Sequence, residues 1–272
     1  LACETNFKGE YIAKELAQEQ TVANLFAFGD RLKRTHDILK KHKKRANKVN
    51  VVCVSDLHGQ LPATAEGDLL IVAGDICPTT NHGSVYQADF INSRFRDWLK
   101  AQPAKKKVFI GGNHDFVLQQ RKWWHKKYPA TYLQDSGTEY KGIKIWGTPW
   151  SVSYGPWAFM AADAELSNKW DLIPDDTDIL VVHGPPHGVG DKVPSRSSDE
   201  ENWPKPEHAG SKTLLKRILE VKPKLVVCGH IHCDRGIHWL GDIPVVNAAV
   251  LDDRYHMANF PIVMHYPTKE AA

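Results

Sequence analysis

The stretch KLVVCGHIHC, residues 224–233, supports two readings with different folds behind them. Cys228, His230, His232 and Cys233 fall within six positions, and two thiolates with two imidazoles can close a tetrahedral structural zinc site. Alternatively KLVVC is a buried strand, and its end delivers His230 and His232 to a larger centre assembled from distant parts of the chain. The first reading makes a metal-stapled scaffold. The second makes a layered fold with a site at its strand ends.

The upstream sequence repeats the second pattern. NVVCVSD (50–56), DLLIVAGD (68–75), KVFIGGNHD (107–115) and DILVVHG (178–184) share the texture of KLVVCGH (224–230). Continuous rather than alternating apolar character marks strands covered on both faces. Amphipathic segments at 86–102 and 210–220 read as helices between them, which is an α/β layered pattern. GIKIWGTPW (142–150) adds a strand, and IPVVNAAV (243–250) with PIVMHY (261–266) complete a second sheet. The polar, Pro/Ser-rich stretch 190–206 reads as a surface loop or lid. Leu16, Val22, Leu25, Phe26, Leu32 and Leu39 recur at helical spacing with a break at Gly29. Residues 1–48 are therefore expected as a helical N-terminal extension packed on a core domain of 49–272.

Each of the five runs ends in groups that bind metals or phosphate: Asp56 and His58, Asp75, Asn113 and His114, His183, then His230 and His232. Carboxyl ends of central strands are where open α/β folds bind ligands. Two carboxylates, four imidazoles and an amide oxygen exceed what one tetrahedral ion takes. They suit two divalent ions with open positions, and mixed oxygen and nitrogen donors accept Mn, Fe or Zn. In an extended strand end, residues i and i+2 point the same way, so Asp56 pairs with His58 and His230 with His232.

DLH at 56–58, GD at 74–75, GNHD at 112–115, HG at 183–184 and GHIH at 229–232 resemble the motif series of calcineurin-like metallophosphoesterases, in order. GIKIWGTPW, WAF, WDLIPDDTDILVVHGPP and KPKLVVCGHIH further resemble the MPPED (UPF0046) branch, a group of metal-dependent phosphodiesterases. The resemblance implies a β-sandwich flanked by helices with a two-metal site at one end. It assigns Asp56, His58 and His232 to one metal and Asn113, His183 and His230 to the other, with Asp75 bridging. His114 falls where the family keeps a nonligand histidine near the scissile phosphate. Some members of the branch lack the last ligand histidine, whereas here His232 is present. The implied reaction is hydrolysis of small phosphodiesters, cyclic nucleotides among the candidates, by a hydroxide bridging two metal ions. The alternative is a binding scaffold on the same fold with weak or no catalysis. The protein Ser/Thr phosphatase branch fits less well, because GDICP lacks the Asp-Arg-Gly of that branch and GNHD replaces its GNHE.

Around this centre several roles stay open. Asp115 either orients His114 or stabilises the turn. His187, in HGPPH, and His208 are candidates for substrate contact. Trp157, with Trp150, Tyr154 and Phe159 in TPWSVSYGPWAF (148–159), either stacks on a planar leaving group or packs the loop. His36, His42, His82, His125, His238, His256 and His265 match no motif and read as surface or packing residues. Cys228 reads as a small buried hydrophobe, and Cys77 and Cys233 adjoin the site closely enough to pair under oxidation.

Composition sets the limits. The chain has 272 residues and a formal net charge of +3, too small to imply a polyanionic partner. Arg31–Lys48 carries nine Lys or Arg against one Asp, without the aromatic interleaving of nucleic-acid modules, and reads as a solvated basic helix face. No apolar run approaches the roughly 20 residues that span a bilayer. Five scattered cysteines without framework spacing favour a reducing compartment, and the expectation is cytoplasmic. Beginning at Leu1, the chain reads as a trimmed product.

Overall fold

A computed structural model describes residues 48–120, 128–193 and 208–267, together with the backbone of two short strands, β1 (Glu4–Thr5) and β2 (Tyr11–Ile12), paired antiparallel. A helical extension was expected over residues 1–48, but Tyr11–Ile12 is strand. The rest of that segment lies outside the described residues, as does the basic stretch up to Asn47.

β3 (Lys48–Val54) shows why the strand runs are continuously apolar. Val49, Val51 and Cys53 enter one core, while Val52 and Val54 enter another on the opposite face. Both faces of the strand are covered, so neither can be polar. The chain continues through β4 (Leu69–Ala73), β5 (Lys106–Ile110), β6 (Thr131–Tyr132), β7 (Ser136–Tyr140) and β8 (Ile143–Thr148). Then follow β9 (Ser151–Val152), β10 (Met160–Ala161), β11 (Ile179–Val182), β12 (Leu225–Cys228), β13 (Gly236–Leu240), β14 (Ile243–Asn247) and β15 (Ile262–Pro267).

Two sheets form the body. One runs β15-β3-β4-β5-β6, with β3, β4, β5 and β6 parallel and β15 antiparallel at the edge. The other runs β13-β14-β12-β11-β8-β7, parallel at its centre and antiparallel at both edges. Residues such as Val51, Ile71, Ile110, Val181 and Val227 pack between the sheets. Helices cover the outer faces. On the first sheet lies α1 (Ser84–Phe90), continuing through a π-helical turn (Ile91–Phe95) into α2 (Arg96–Ala101), with the short α3 (Phe116–Gln119) nearby. On the second lie α4 (Asp163–Trp170) and α5 (Lys212–Val221), where Trp170 is buried and its Nε1 donates to Thr213 Oγ1 at 3.0 Å. The result is the helix-flanked α/β sandwich that the strand texture and the motif series imply.

The structure corrects the expected sheet membership. The segments 243–250 and 261–266 do not share a sheet: β14 joins β12, whereas β15 pairs with β3. The edge strands β7 and β13 and the helix α4 have no counterpart in the sequence reading. Both edge strands are only partly buried, so their sequences SGTEY and GIHWL lack a continuous apolar run. Of the polar stretch 190–206, only Gly190–Val193 falls among the described residues. Among the described residues no helix is long and apolar enough to cross a membrane. Cys77 and Cys233 are both free: Cys77 is buried, while Cys233 is exposed and its Sγ lies 3.1 Å from the carbonyl of Lys192.

Candidate functional site

The five motif strands are divided between the sheets, three in one and two in the other, and their carboxyl ends converge at one end of the sandwich. Backbone hydrogen bonds tie the ends together. Ser55 N–H donates to the Ala248 carbonyl at 2.9 Å, Val250 N–H returns to the Ser55 carbonyl at 3.0 Å, and Gly229 N–H donates to the His183 carbonyl at 3.0 Å. The site is therefore built across the sheet interface.

The side chains do not converge by strand pleat. β3 ends at Val54 and β12 at Cys228, and the functional residues follow in turns. Asp56 (φ 56°), His58 (φ 43°), Asp75 (φ 51°) and His230 (φ 71°) all occupy the left-handed region. The extended i, i+2 geometry expected for Asp56/His58 and His230/His232 is thus replaced by tight turns. Such a conformation costs a non-glycine residue about 1–2 kcal/mol, so the surrounding bonds must hold it. They do. Asp56 N–H donates to the Gly74 carbonyl at 3.0 Å and His58 N–H to the Asp75 carbonyl at 2.8 Å, locking two turns together. His230 N–H donates to both Asp56 carboxylate oxygens at 3.0 Å. Gly112 is required by space, because a Cβ there would meet the backbone nitrogen and carboxylate of Asp75.

In this frame the buried Asp75 carboxylate faces two ways. Its Oδ2 lies 3.5 Å from His58 Nε2 and 3.4 Å from His183 Nε2, while Oδ1 accepts the His114 N–H at 2.8 Å. On one side Asp56, His58 and His232 bring candidate donor atoms within 4.8 Å of one another, and on the other Asp75, His183 and His230 do the same. Asn113 Oδ1 sits 3.0 Å from His183 Nε2. A third grouping, of His58, Asp75 and His114, overlaps the first two.

Hydrogen bonds on the far side of two imidazoles set their tautomers. His183 Nδ1 donates to the Ala73 carbonyl at 2.8 Å and His232 Nδ1 to the Asp252 carbonyl at 2.9 Å, which leaves each Nε2 facing the cluster. His58 is buried, and among the described residues neither ring nitrogen has a hydrogen-bond partner. A buried polar atom left unpaired costs about 1–3 kcal/mol, and a neutral ring nitrogen of this kind is a donor available to a cation. The donor set fits divalent metal ions.

Electrostatics divide the imidazoles into two kinds. Burial, reinforced for His230 by cationic His183, holds His58 down at about 4 and His230 at about 3, so both present lone pairs. Burial also opposes charge on His183 and His232, but the carboxylates of Asp75 and Asp56 override it and raise both to about 9. Burial pushes Asp56 up, yet His232 outweighs it and keeps the carboxyl at about 2.

Asp115 resolves to the turn-stabilising role. Its carboxylate accepts N–H bonds from Ile76 (3.0 and 3.1 Å), Cys77 (2.8 Å) and Gly112 (2.9 Å), and no bond to the His114 ring is present. Burial, with Asp75 close by, raises it to about 6. Trp157 lies against His114, with ring centroids 4.5 Å apart. His187 and His208 are gathered elsewhere, around the buried Asp191. His208 Nδ1 is 2.7 Å from Asp191 Oδ1 and His187 Nδ1 is 3.9 Å from Oδ2. Their described partners do not include the Asp56–His232 cluster.

Three residues at the site were not read from the sequence. His82 Nε2 lies 3.2 Å from His114 Nδ1, a polar contact that its reading as a surface or packing residue did not anticipate. Tyr255 stands over His58 and His232 at ring-centroid distances of 4.8 and 5.4 Å, its backbone left-handed at φ 60°. Asp252 folds this turn, since its Oδ1 accepts the Arg254 and His256 N–H groups at 2.9 and 2.8 Å while its carbonyl holds His232. PTTNHG and DDRYH carry no motif, and a main-chain acceptor leaves no trace in side-chain identity. Tyr154 completes the rim, its hydroxyl accepting Asn113 Nδ2 at 3.3 Å.

Comparison with known proteins places the chain in a family. The family model described as calcineurin-like phosphoesterase matches residues 49–234. Metallophosphoesterase domain-containing protein 1 of Homo sapiens is 33% identical over 249 residues, covering 80% of this chain and 71% of that protein. A UPF0046 protein of Caenorhabditis elegans is 31% identical over 245 residues, covering 81% of this chain and 82% of its own length. A solved structure shares the fold at a TM-score of 0.55 and 15% identity, over 82% of this chain and 100% of that one.

Proposed function

The chain belongs to the calcineurin-like phosphoesterase family, whose chemistry is metal-dependent phosphoester hydrolysis, and from that premise we propose that it is a hydrolase of small phosphodiesters. In this reading Asp56, His58 and His232 hold one divalent ion, Asn113, His183 and His230 hold the other, and Asp75 serves both. Such ions, when bound, neutralise phosphoryl oxygens and make water nucleophilic near neutral pH. The remaining work falls to the chain. His114, grouped with His58 and Asp75, serves as the proton donor to the leaving oxygen through the nitrogen not engaged by His82. Tyr154, Trp157 and Tyr255 wall the site and present aromatic faces to a planar leaving group such as a nucleobase.

The observation that carries the diester assignment is the aromatic rim of Tyr154, Trp157 and Tyr255 around the cluster. Among the described residues, no Lys or Arg forms a hydrogen bond or ion pair with Asp56, Asp75 or Asn113, and the rim side chains are uncharged aromatics. A monoester dianion carries one more charge than a diester and would gain from such a cation. With defined Mn, Fe or Zn, bis-p-nitrophenyl phosphate should be turned over with kcat/KM at least about tenfold above p-nitrophenyl phosphate, a difference of ~1.4 kcal/mol. The leaving group is the same in both. A preference for the monoester would overturn the diester assignment, and no turnover with any metal would favour the scaffold reading.

Metal uptake should also release protons. In the metal-free protein His183 and His232, both raised to about 9, carry protons that a metal ion displaces, whereas His58 and His230 are already neutral at pH 7. Apparent affinity should therefore rise with pH up to about 9, because fewer protons compete. Calorimetric titration at pH 7 in buffers of differing ionisation enthalpy should give about two protons released per fully loaded protein. A result of zero would mean that these two histidines are not ligands.

A further inference from the structure

We propose that His82 is a positioning residue for His114, holding its ring in one tautomer and one orientation toward the leaving group. This rests on the reading of His114 as the proton donor. The backbone of His114 is fixed without help: its N–H is held by Asp75 Oδ1 at 2.8 Å, and its carbonyl accepts Gln87 Nε2 at 2.7 Å. Gln87 is itself buried and anchored by the Val117 N–H at 3.0 Å. What those bonds leave open is the rotation of the ring. Asp115, the adjacent carboxylate, is committed to the main chain of residues 76, 77 and 112 and cannot set it.

His82 can. Its Nε2 lies 3.2 Å from His114 Nδ1, the polar contact described for the His114 ring. The edge of Trp157 at 5.3 Å and Phe116 at 5.4 Å enclose His82, and Trp157 also lies against His114. The contact is thus sheltered by apolar rings, where a hydrogen bond is stronger than in water. With His82 Nε2 accepting, His114 keeps hydrogen on Nδ1, and in its imidazolium form it carries a second proton on Nε2, the one it donates. The Nε2 proton passes to the departing oxygen as its bond to phosphorus breaks. The ring is left as the neutral Nδ1–H tautomer, still bound to His82 and set to take its next proton from water on Nε2. Without His82, either nitrogen can hold hydrogen and the ring can turn away.

The test compares wild type, His82→Ala and His82→Gln, the last keeping a side-chain acceptor, on two diesters. Bis-p-nitrophenyl phosphate expels a stable anion that needs little protonation. A ribonucleoside cyclic phosphate or dinucleotide expels an alkoxide that does. His82→Ala should lower kcat on the alkoxide substrate by about tenfold or more, a share of the effect general-acid catalysis supplies. The aryl substrate should lose less than about threefold, KM and metal content should hold, and His82→Gln should recover part of the loss. Equal loss on both substrates, or none, overturns the proposal, since a merely structural role would not sort substrates by leaving group. Nitrogen NMR of the metal-loaded protein supplies an arm independent of turnover. His114 should show hydrogen on Nδ1 in wild type and a mixture of tautomers in His82→Ala. A mixture in wild type overturns the pairing. Wild type that hydrolyses no phosphoester while showing the fixed tautomer would fail the functional reading and leave the pairing standing.

Discussion

Asp75→Asn should give a folded protein that fails to retain its metal ions and loses at least about three orders of magnitude in phosphodiester turnover. The substitution is chosen to remove charge and little else. Asn is among the few residues that tolerate the left-handed backbone, so the φ of 51° at position 75 survives. Its side-chain oxygen can still accept the His114 N–H that Asp75 Oδ1 holds at 2.8 Å. What is lost is the anionic oxygen lying 3.5 Å from His58 and 3.4 Å from His183, the one group that faces both halves of the cluster. Removing it also relieves Asp115, which burial and then Asp75 push up to about 6, so global stability should fall little. The measurements are metal content after gel filtration, thermal unfolding by circular dichroism, and turnover. Stoichiometric metal at near wild-type rate would remove Asp75 from the centre.

The second large effect separates catalysis from ligation. His114→Ala should retain both metal ions yet lose about 10²–10⁴ in turnover on an alkoxide leaving group, the range that general-acid catalysis contributes. On bis-p-nitrophenyl phosphate the loss should be smaller, since p-nitrophenolate departs without a proton. His114 also lies in a grouping with His58 and Asp75 that could hold an ion. Metal analysis of the variant discriminates: lost metal makes His114 a ligand, and retained metal with lost turnover makes it the acid. Wild-type turnover on both substrates would remove it from the chemistry.

How much of this was legible in the sequence depended on where the information resides. Runs such as LLIVA and LVVC are buried on both faces, and that burial is written directly in their composition. The polar residues that follow them are therefore legible as a group at strand ends. Which sheet each strand joins was not legible, because DILVVHG and DLLIVAGD look alike while β11 and β4 lie in different sheets. Sheet membership is decided by partners far along the chain, as when β15 returns to pair with β3. The turns at Asp56, His58 and His230 were misread as extended strand, since aspartate and histidine do not announce positive φ as glycine does. His82 and the Asp252 carbonyl act through the ligands or beside them, and nothing in their local sequence distinguishes them from loop.

The split of the centre between two sheets orders events during folding. Asp56, His58, Asp75 and Asn113 follow strands of one sheet, and His183, His230 and His232 follow or succeed strands of the other. A chain that has formed either sheet alone owns only part of each donor set, and one that has lost their docking owns no more. The first sheet is itself incomplete until the C-terminal strand β15 closes on β3, a pairing of great sequence separation and hence slow to form. With the proposed ligand set, tight metal capture would be a late folding step, after the two sheets have docked. On the proposed ligand set, bound ions would act as a clasp between the layers, stabilising the docked state by an amount that grows with the logarithm of metal concentration over Kd.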